Sequence, residues 1–367
     1  MTAKFWLVGT VFALFACKGS PPASAPDAAI VAADSTVSTS PDAAATVAPD
    51  AAATPSPDAA ATVAPDVAAA TTETAVATPD AAAVAHDDAT VKLVLAGAEP
   101  RTAMRYAAQT GSEQIANLAM TTELELGATG QKMPTLLPKT RMTIGTKVTA
   151  VDATGETRFG LTITDADLAE GAAAGGTRAG EKLAEVIRGM KGLTGDKVAS
   201  ARGVSHQFAL AAPAGSDGIM ATAALKPVMQ GFERAIDQMT VPFPEEAIGV
   251  GAKWEVSQKV VEAGMTLDQT TTFEVTAVKG QRVSLRFTVT LAAPPGKLES
   301  TFAGGLAADV KSLTGSGDGT IEVDLGKVLP VALNAKNRIA MSLELALPNE
   351  KRALDVEMRV ALAVTSP

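Results

Sequence analysis

The sequence predicts a mainly β protein: a long, curved antiparallel meander with helices packed on its concave face, preceded by a disordered linker. Three observations lead there. Apolar residues recur at every second position through most of residues 90–367. Two stretches in that region carry a helical period instead, with apolar residues three and four apart. Ahead of them, residues 19–89 hold no Lys, Arg or aromatic side chain and are built largely from Ala, Pro, Asp, Thr, Ser and Val.

The chain opens on a short leader. Lys4 supplies a positive start, and residues 5–16 form a twelve-residue apolar run that ends at Cys17, the only cysteine. A helix that crosses a bilayer needs about 20 apolar residues, so this run reads as a signal peptide. Leu14-Phe15-Ala16-Cys17 resembles the lipobox of bacterial lipoproteins, with Phe15 larger than the residue usual at its position. The resemblance implies that residues 1–16 are removed and that residues 17–18 become a lipidated N-terminus. In that family the cysteine thiol receives a diacylglyceryl group and the new amine is acylated, as with palmitate. An ordinary secretory signal, cut after Ala23-Ser24-Ala25, would leave Pro26 at the first mature position, where signal peptidases disfavour it. Two or more acyl chains hold a protein stably on a membrane where one does not. Lys18 rather than Asp follows the cysteine. By the same resemblance, that favours the outer over the inner membrane of a bacterial cell envelope. A single cysteine leaves no intramolecular disulfide.

Residues 19–89 read as the linker. Residues 40–55 are repeated almost unchanged as residues 56–71, each copy splitting into two eight-residue units that begin Pro-Asp. Eight residues are too few for a solenoid repeat, and a Pro every two turns leaves no room for a stable helix. An extended, disordered tether with polyproline II character follows, spanning roughly 45 Å as a coil of ~71 residues. Charge divides at the same boundary. The linker holds nine Asp and one Glu with no basic residue, whereas residues 90–367 carry 29 basic and 30 acidic side chains. With no basic run in the body and a single tyrosine, Tyr106, nucleic acid is not an expected partner.

Residues 90–367 read as one β-rich domain. The clearest alternations run through Met142, Ile144 and Val148; Phe159, Leu161 and Ile163; and Val204, His206, Phe208 and Leu210. They continue through Met265, Leu267, Phe273 and Val275; Val283 to Leu291; Ile321, Val323 and Leu325; Ile339 to Leu347; and Val356 to Val364. Lys279-Gly280-Gln281 and Gly315-Ser316-Gly317-Asp318-Gly319 read as hairpin turns between them. Leu183, Val186, Ile187 and Met190 make one helical stripe. A longer one spans residues 225–239, carries Met229 and Phe232, and stops at Pro242 and Pro244. Each helix has one apolar face and the sheet has one needing cover, so the expected solution lays both helices in the sheet's concavity. That architecture resembles the half-barrel of bacterial lipoprotein carriers.

A more local resemblance covers residues 183–291. Lys191-Gly192-Leu193, Arg202-Gly203-Val204 and then Gly249-Val250-Gly251-Ala252-Lys253-Trp254 follow one another in an order similar to a family of secreted bacterial proteins and lipoproteins defined only as a domain of unknown function. It implies a fold and no functional residues. The Gly-x-Gly there precedes a strand and lacks the third glycine and helix of a dinucleotide site.

Chemistry is sparse. His206 is the only histidine of the domain, since His86 lies in the linker. No Gly-x-Ser-x-Gly elbow accompanies it, and Ser205 should face the other side of the strand. Asp165, Asp167 and Glu170 lack the spacing and central glycine of a calcium loop. The run Gly171 to Gly176 lacks the Lys-Ser/Thr of a P-loop. No cofactor, metal or catalytic residue is expected. The candidate ligand contacts are Met229, Phe232, Trp254 and His206, each of which reads first as core. The expected function is a non-catalytic envelope lipoprotein, lipidated at Cys17, whose domain binds an envelope protein or has a structural role. The alternative is a carrier or sensor of an apolar ligand or lipid held between sheet and helices. A hydrolase comes third, without a motif.

Overall fold

Alternation along the chain becomes one antiparallel sheet of 14 strands in the computed structural model. Described are residues 89–128, 131–169, 178–211, 236, 239–262, 265–302, 306–346 and 350–367. The first strands are β1 (Thr90–Leu95), β2 (Glu113–Ala128), β3 (Gln131–Leu136), β4 (Thr140–Val151), β5 (Thr157–Leu168), β6 (Thr194–Ala199) and β7 (Ser205–Ala211). Helix α1 (Arg178–Arg188) lies between β5 and β6. Then come β8 (Lys253–Glu262), β9 (Met265–Lys279), β10 (Arg282–Ala293), β11 (Gly296–Phe302), β12 (Leu306–Asp324), β13 (Ala332–Ala346) and β14 (Lys351–Thr365).

The spatial order is β1-β8-β9-β10-β12-β13-β14-β2-β4-β5-β6-β7, with β3 paired to β2 and β11 to β12 off that path. Two meanders are therefore sewn together by the last strand. β14 pairs antiparallel with β2 from Thr365 opposite Asn117 to Asp355 opposite Gly127. Each long strand buries alternate residues. On β13 these are Leu333, Ala335, Asn337, Ile339, Met341 and Leu343, while Lys336, Arg338 and Ala340 face water. That division is what one apolar and one solvated sheet face require.

Local chemistry sets the turns. Gly280 takes φ +60 at the β9–β10 turn, a conformation that favours glycine. At the β4–β5 turn the Asp152 carboxylate accepts from the N–H groups of Thr154 at 2.8 Å and Glu156 at 2.9 Å. The Thr154 hydroxyl donates to the same oxygen, and these bonds hold the Asp152 carboxyl below its ordinary pKa.

The Gly-rich stretch from Gly315 to Gly319 is not a turn. It runs through the middle of β12, paired on both sides, with Phe287 opposite Gly319 on β10 and Ala335 opposite it on β13. A Cβ at Gly319 would stand 2.3 Å from the Asn334 carbonyl oxygen and 2.6 Å from the Phe287 ring. Glycine is there so that backbone and ring can close over the strand.

Of the two helices expected as cover, one is described. Helix α1 packs on β5 through buried Ala184 and Ile187, and its last turn is tied to that strand by the Arg188–Asp167 ion pair at 3.0 Å. The second helix, with Met229 and Phe232, lies outside the described residues apart from Ile236 and Met239, both buried. A clasp of irregular backbone lies along one end of the sheet. Thr102 and Ile248 exchange two backbone hydrogen bonds of 3.0 Å. Tyr106 N donates to Ala201 O at 2.7 Å, Ala107 N to Leu325 O at 2.6 Å, and Phe243 N to Arg202 O at 2.8 Å. The Arg202 guanidinium bonds Phe243 O and the Glu245 carboxylate. The β1/β8 side of the sheet and the β6/β7 side are thus joined without strand pairing. Tyr106, Phe243, Trp254, Phe273 and Phe287 form a continuous aromatic row beneath the clasp, with centroids 5.3–6.1 Å apart.

Candidate binding face

Strand register places the buried side chains of β8, β9, β10, β12, β13, β14 and β2 in rows across the sheet. The row nearest the clasp holds Trp254, Phe273, Phe287, Gly319, Ala335, Leu362 and Met120. The next holds Val256, Thr271, Val289, Gly317, Asn337, Val360 and Thr122, and the third Gln258, Gln269, Leu291, Gly315, Ile339, Met358 and Leu124. Apolar residues return beyond it with Val260, Leu267, Leu313, Met341 and Val356. Within these four rows the polar side chains fall in two adjacent ones.

Gln258 and Gln269 are directly opposed and only 6% and 2% exposed, and Asn337 is 7% exposed. Gln258 Oε1 and Nε2, Gln269 Nε2 and Asn337 Oδ1 have no hydrogen-bond partner among the described residues. Leaving a buried polar group unpaired costs about 1–3 kcal/mol. The same fold satisfies a buried amide elsewhere. Gln114 Nε2 donates to Leu329 O at 2.9 Å and Ser366 Oγ at 3.0 Å, and its Oε1 accepts from Leu329 N at 3.0 Å. A Cβ on Gly317 would come 1.9 Å from Asn337 Oδ1, so the missing side chain is what lets that amide lie across β12.

The sequence candidates fall differently. Trp254 is fully buried, stacks on Phe273 at 5.3 Å and donates from Nε1 to Pro242 O at 2.8 Å. It shares the inward face of β8 with Gln258. His206 belongs to β7 at the point where its register with β6 shifts between Val198 and Ala199. Its imidazole, like Cys17, Met229 and Phe232, lies outside the described set. Ser205, beside it, is buried. Asp165 and Asp167 are engaged by Lys191 at 3.6 Å and Arg188 at 3.0 Å. Among the described residues no group of His, Cys, Asp and Glu is arranged to hold a metal ion. Sequence reasoning passed over Gln258, Gln269 and Asn337. The signal was present in Trp254, Val256, Gln258 and Val260, where an amide occupies an apolar place in the alternation.

The opposite face carries ion pairs along many of its strands, with Ile115 among its exposed apolar side chains. Arg338 bonds Glu357 at 2.7 Å, Lys132 bonds Glu125 at 2.6 Å and Arg359 lies 3.6 Å from Glu123. The Arg338 guanidinium holds the Glu357 carboxyl below the usual carboxylate range. Shallow clefts of about 430, 580 and 330 Å³ run over this face between such pairs. Membrane-spanning barrels carry an outward apolar band; this outward face carries ion pairs. No helix among the described residues is long and apolar enough to cross a membrane. Burial pushes the Tyr106 phenol above its ordinary pKa, opposed by the Val241 N–H that it accepts at 3.2 Å.

Residues 229–328 match a family described as a family of unknown function (DUF6263). The match begins later than the resemblance seen in residues 183–291 and runs on to 328. It takes in β8 and β9 with Gln258 and Gln269, and the glycines of β12. No curated protein matches the chain. Among solved structures, an outer membrane channel from Pseudomonas putida F1 aligns at 8% identity over 72% of this chain and 98% of its own, with a TM-score of 0.16. Similarity at that level identifies neither fold nor function.

Proposed function

We propose that the protein is a lipid-anchored, non-catalytic binding protein of the bacterial cell envelope, held by Cys17 and presenting its β domain on the tether of residues 19–89. The observation that carries this reading is the outward sheet face. Ion pairs along its length suit water rather than lipid, so residence at a membrane calls for a separate anchor, and Leu14-Phe15-Ala16-Cys17 supplies one. Acylation at Cys17 and the outer membrane as destination belong to the same proposal. Metabolic labelling with an alkyne fatty acid tests it. The wild type should label, and Cys17→Ser should lose the label and leave the membrane fraction. A Cys17→Ser variant that labels and sediments like the wild type overturns the reading.

A second reading, the carrier of an apolar ligand, is favoured by the inner face. Unpaired amides sit there among Val, Leu, Ile and Met side chains, which is how ligand pockets are commonly lined.

A further inference from the structure

We propose that Gln258 and Gln269 form a recognition site for the polar head of a neutral amphiphile whose apolar part lies along the neighbouring rows of the sheet. This inference rests on the carrier reading. Its starting point is the opposed pair. Gln258 and Gln269 are at least nine-tenths buried and face each other across β8 and β9, yet neither bonds the other. Asn337 stands in the adjacent row on β13, over Gly317 and three strands from β9, too far to share one small head with the pair. Among the described residues the pair's unpartnered groups are two donors, Gln258 Nε2 and Gln269 Nε2, and one acceptor, Gln258 Oε1. A head that both accepts and donates, such as a carboxamide or a hydroxyl-bearing ester, meets all three.

A charged head does not fit. The two rows contain no Asp, Glu, Lys or Arg, so a buried ion would lack a countercharge. The flanking rows explain the remainder of the ligand. Phe273 and Phe287 on one side and Leu267 and Leu313 on the other are buried and apolar, and suit a hydrocarbon chain. A purely structural role for the amides would look like Gln114, whose donors and acceptor are all engaged by the fold.

The test uses the full chain with Cys17→Ser, purified free of lipid, and equilibrium dialysis with radiolabelled dodecanamide and dodecane. The expected result is at least tenfold tighter binding of dodecanamide. In Gln258→Leu/Gln269→Leu that preference should vanish while dodecane binding and the melting temperature are kept or rise. Removing unpaired amides relieves the empty protein, so a double variant that melts well below the wild type would show that the fold already pairs them and would overturn the site. Equal binding of both probes by the wild type leaves a carrier but no head-group recognition, with water on the amides. Binding of neither probe removes the carrier reading and this inference together.

Discussion

Tyr106 and Trp254 grip successive residues of one segment. Tyr106 Oη accepts from Val241 N at 3.2 Å, and Trp254 Nε1 donates to Pro242 O at 2.8 Å. Between them lies Phe243, in ring contact with both at 5.6 and 5.8 Å. Two residues 148 positions apart in sequence thereby fix the clasp that joins the two sides of the sheet.

Alkaline pH should loosen that clasp through Tyr106, the chain's one tyrosine. Burial raises its folded pKa, so the buried phenol stays protonated where the unfolded chain's phenol ionises, near 10. Above that pH the unfolded state binds fewer protons, and stability falls with rising pH by about 1.4 kcal/mol per unit until the folded pKa is reached. Below pH 10 the contribution is fully present. Urea midpoints at pH 8, 10 and 11 should drop more steeply for the wild type than for Tyr106→Phe. Tyrosinate absorbance rising near pH 10 in protein that is still folded would contradict the buried placement.

Substitutions at Trp254 should separate packing from its hydrogen bond. Trp254→Phe keeps an aromatic ring against Phe273 and gives up the bond to Pro242, at about 1 kcal/mol plus the smaller ring. Trp254→Ala empties the row and should cost about 3–5 kcal/mol. Denaturant unfolding reads both, and equal, small losses would mean that the residue does not anchor the core.

Gly319→Ala distinguishes a strand from a turn. In the middle of β12 a methyl group meets the Asn334 carbonyl and the Phe287 ring, and about 1–3 kcal/mol of overpacking is expected. An exposed turn would absorb the methyl group with little change in melting temperature.

Much of the sheet was legible because its alternation is strict. β9, β10, β13 and β14 set mainly apolar residues on one side against mainly polar or charged ones on the other. β2 was hidden for a physical reason: Ile115 is 54% exposed on its outer side while Thr122 is buried on its inner side, so the two faces blur. β12 was broken by glycines that serve close approach rather than chain reversal. The joining of β14 to β2 and the clasp are long-range pairings, carried by backbone groups that have no sequence signature. Of the binding face, the apolar rows could be read from the pattern. The register that brings Gln258 opposite Gln269 and sets Asn337 one row away could not, because it depends on which strands become neighbours.

In the proposed arrangement the β domain stands outside the bilayer and is held there only through its N-terminal anchor. The decisive measurement uses isolated membranes carrying the full-length protein with a specific protease site inserted after Val84. Cleavage should move residues 85–367 into the supernatant in low salt and leave the acylated N-terminal fragment in the pellet. A domain that stays with the membrane after complete cleavage, and is released only by detergent, would contradict the account, because the sheet itself would then be the part that contacts lipid.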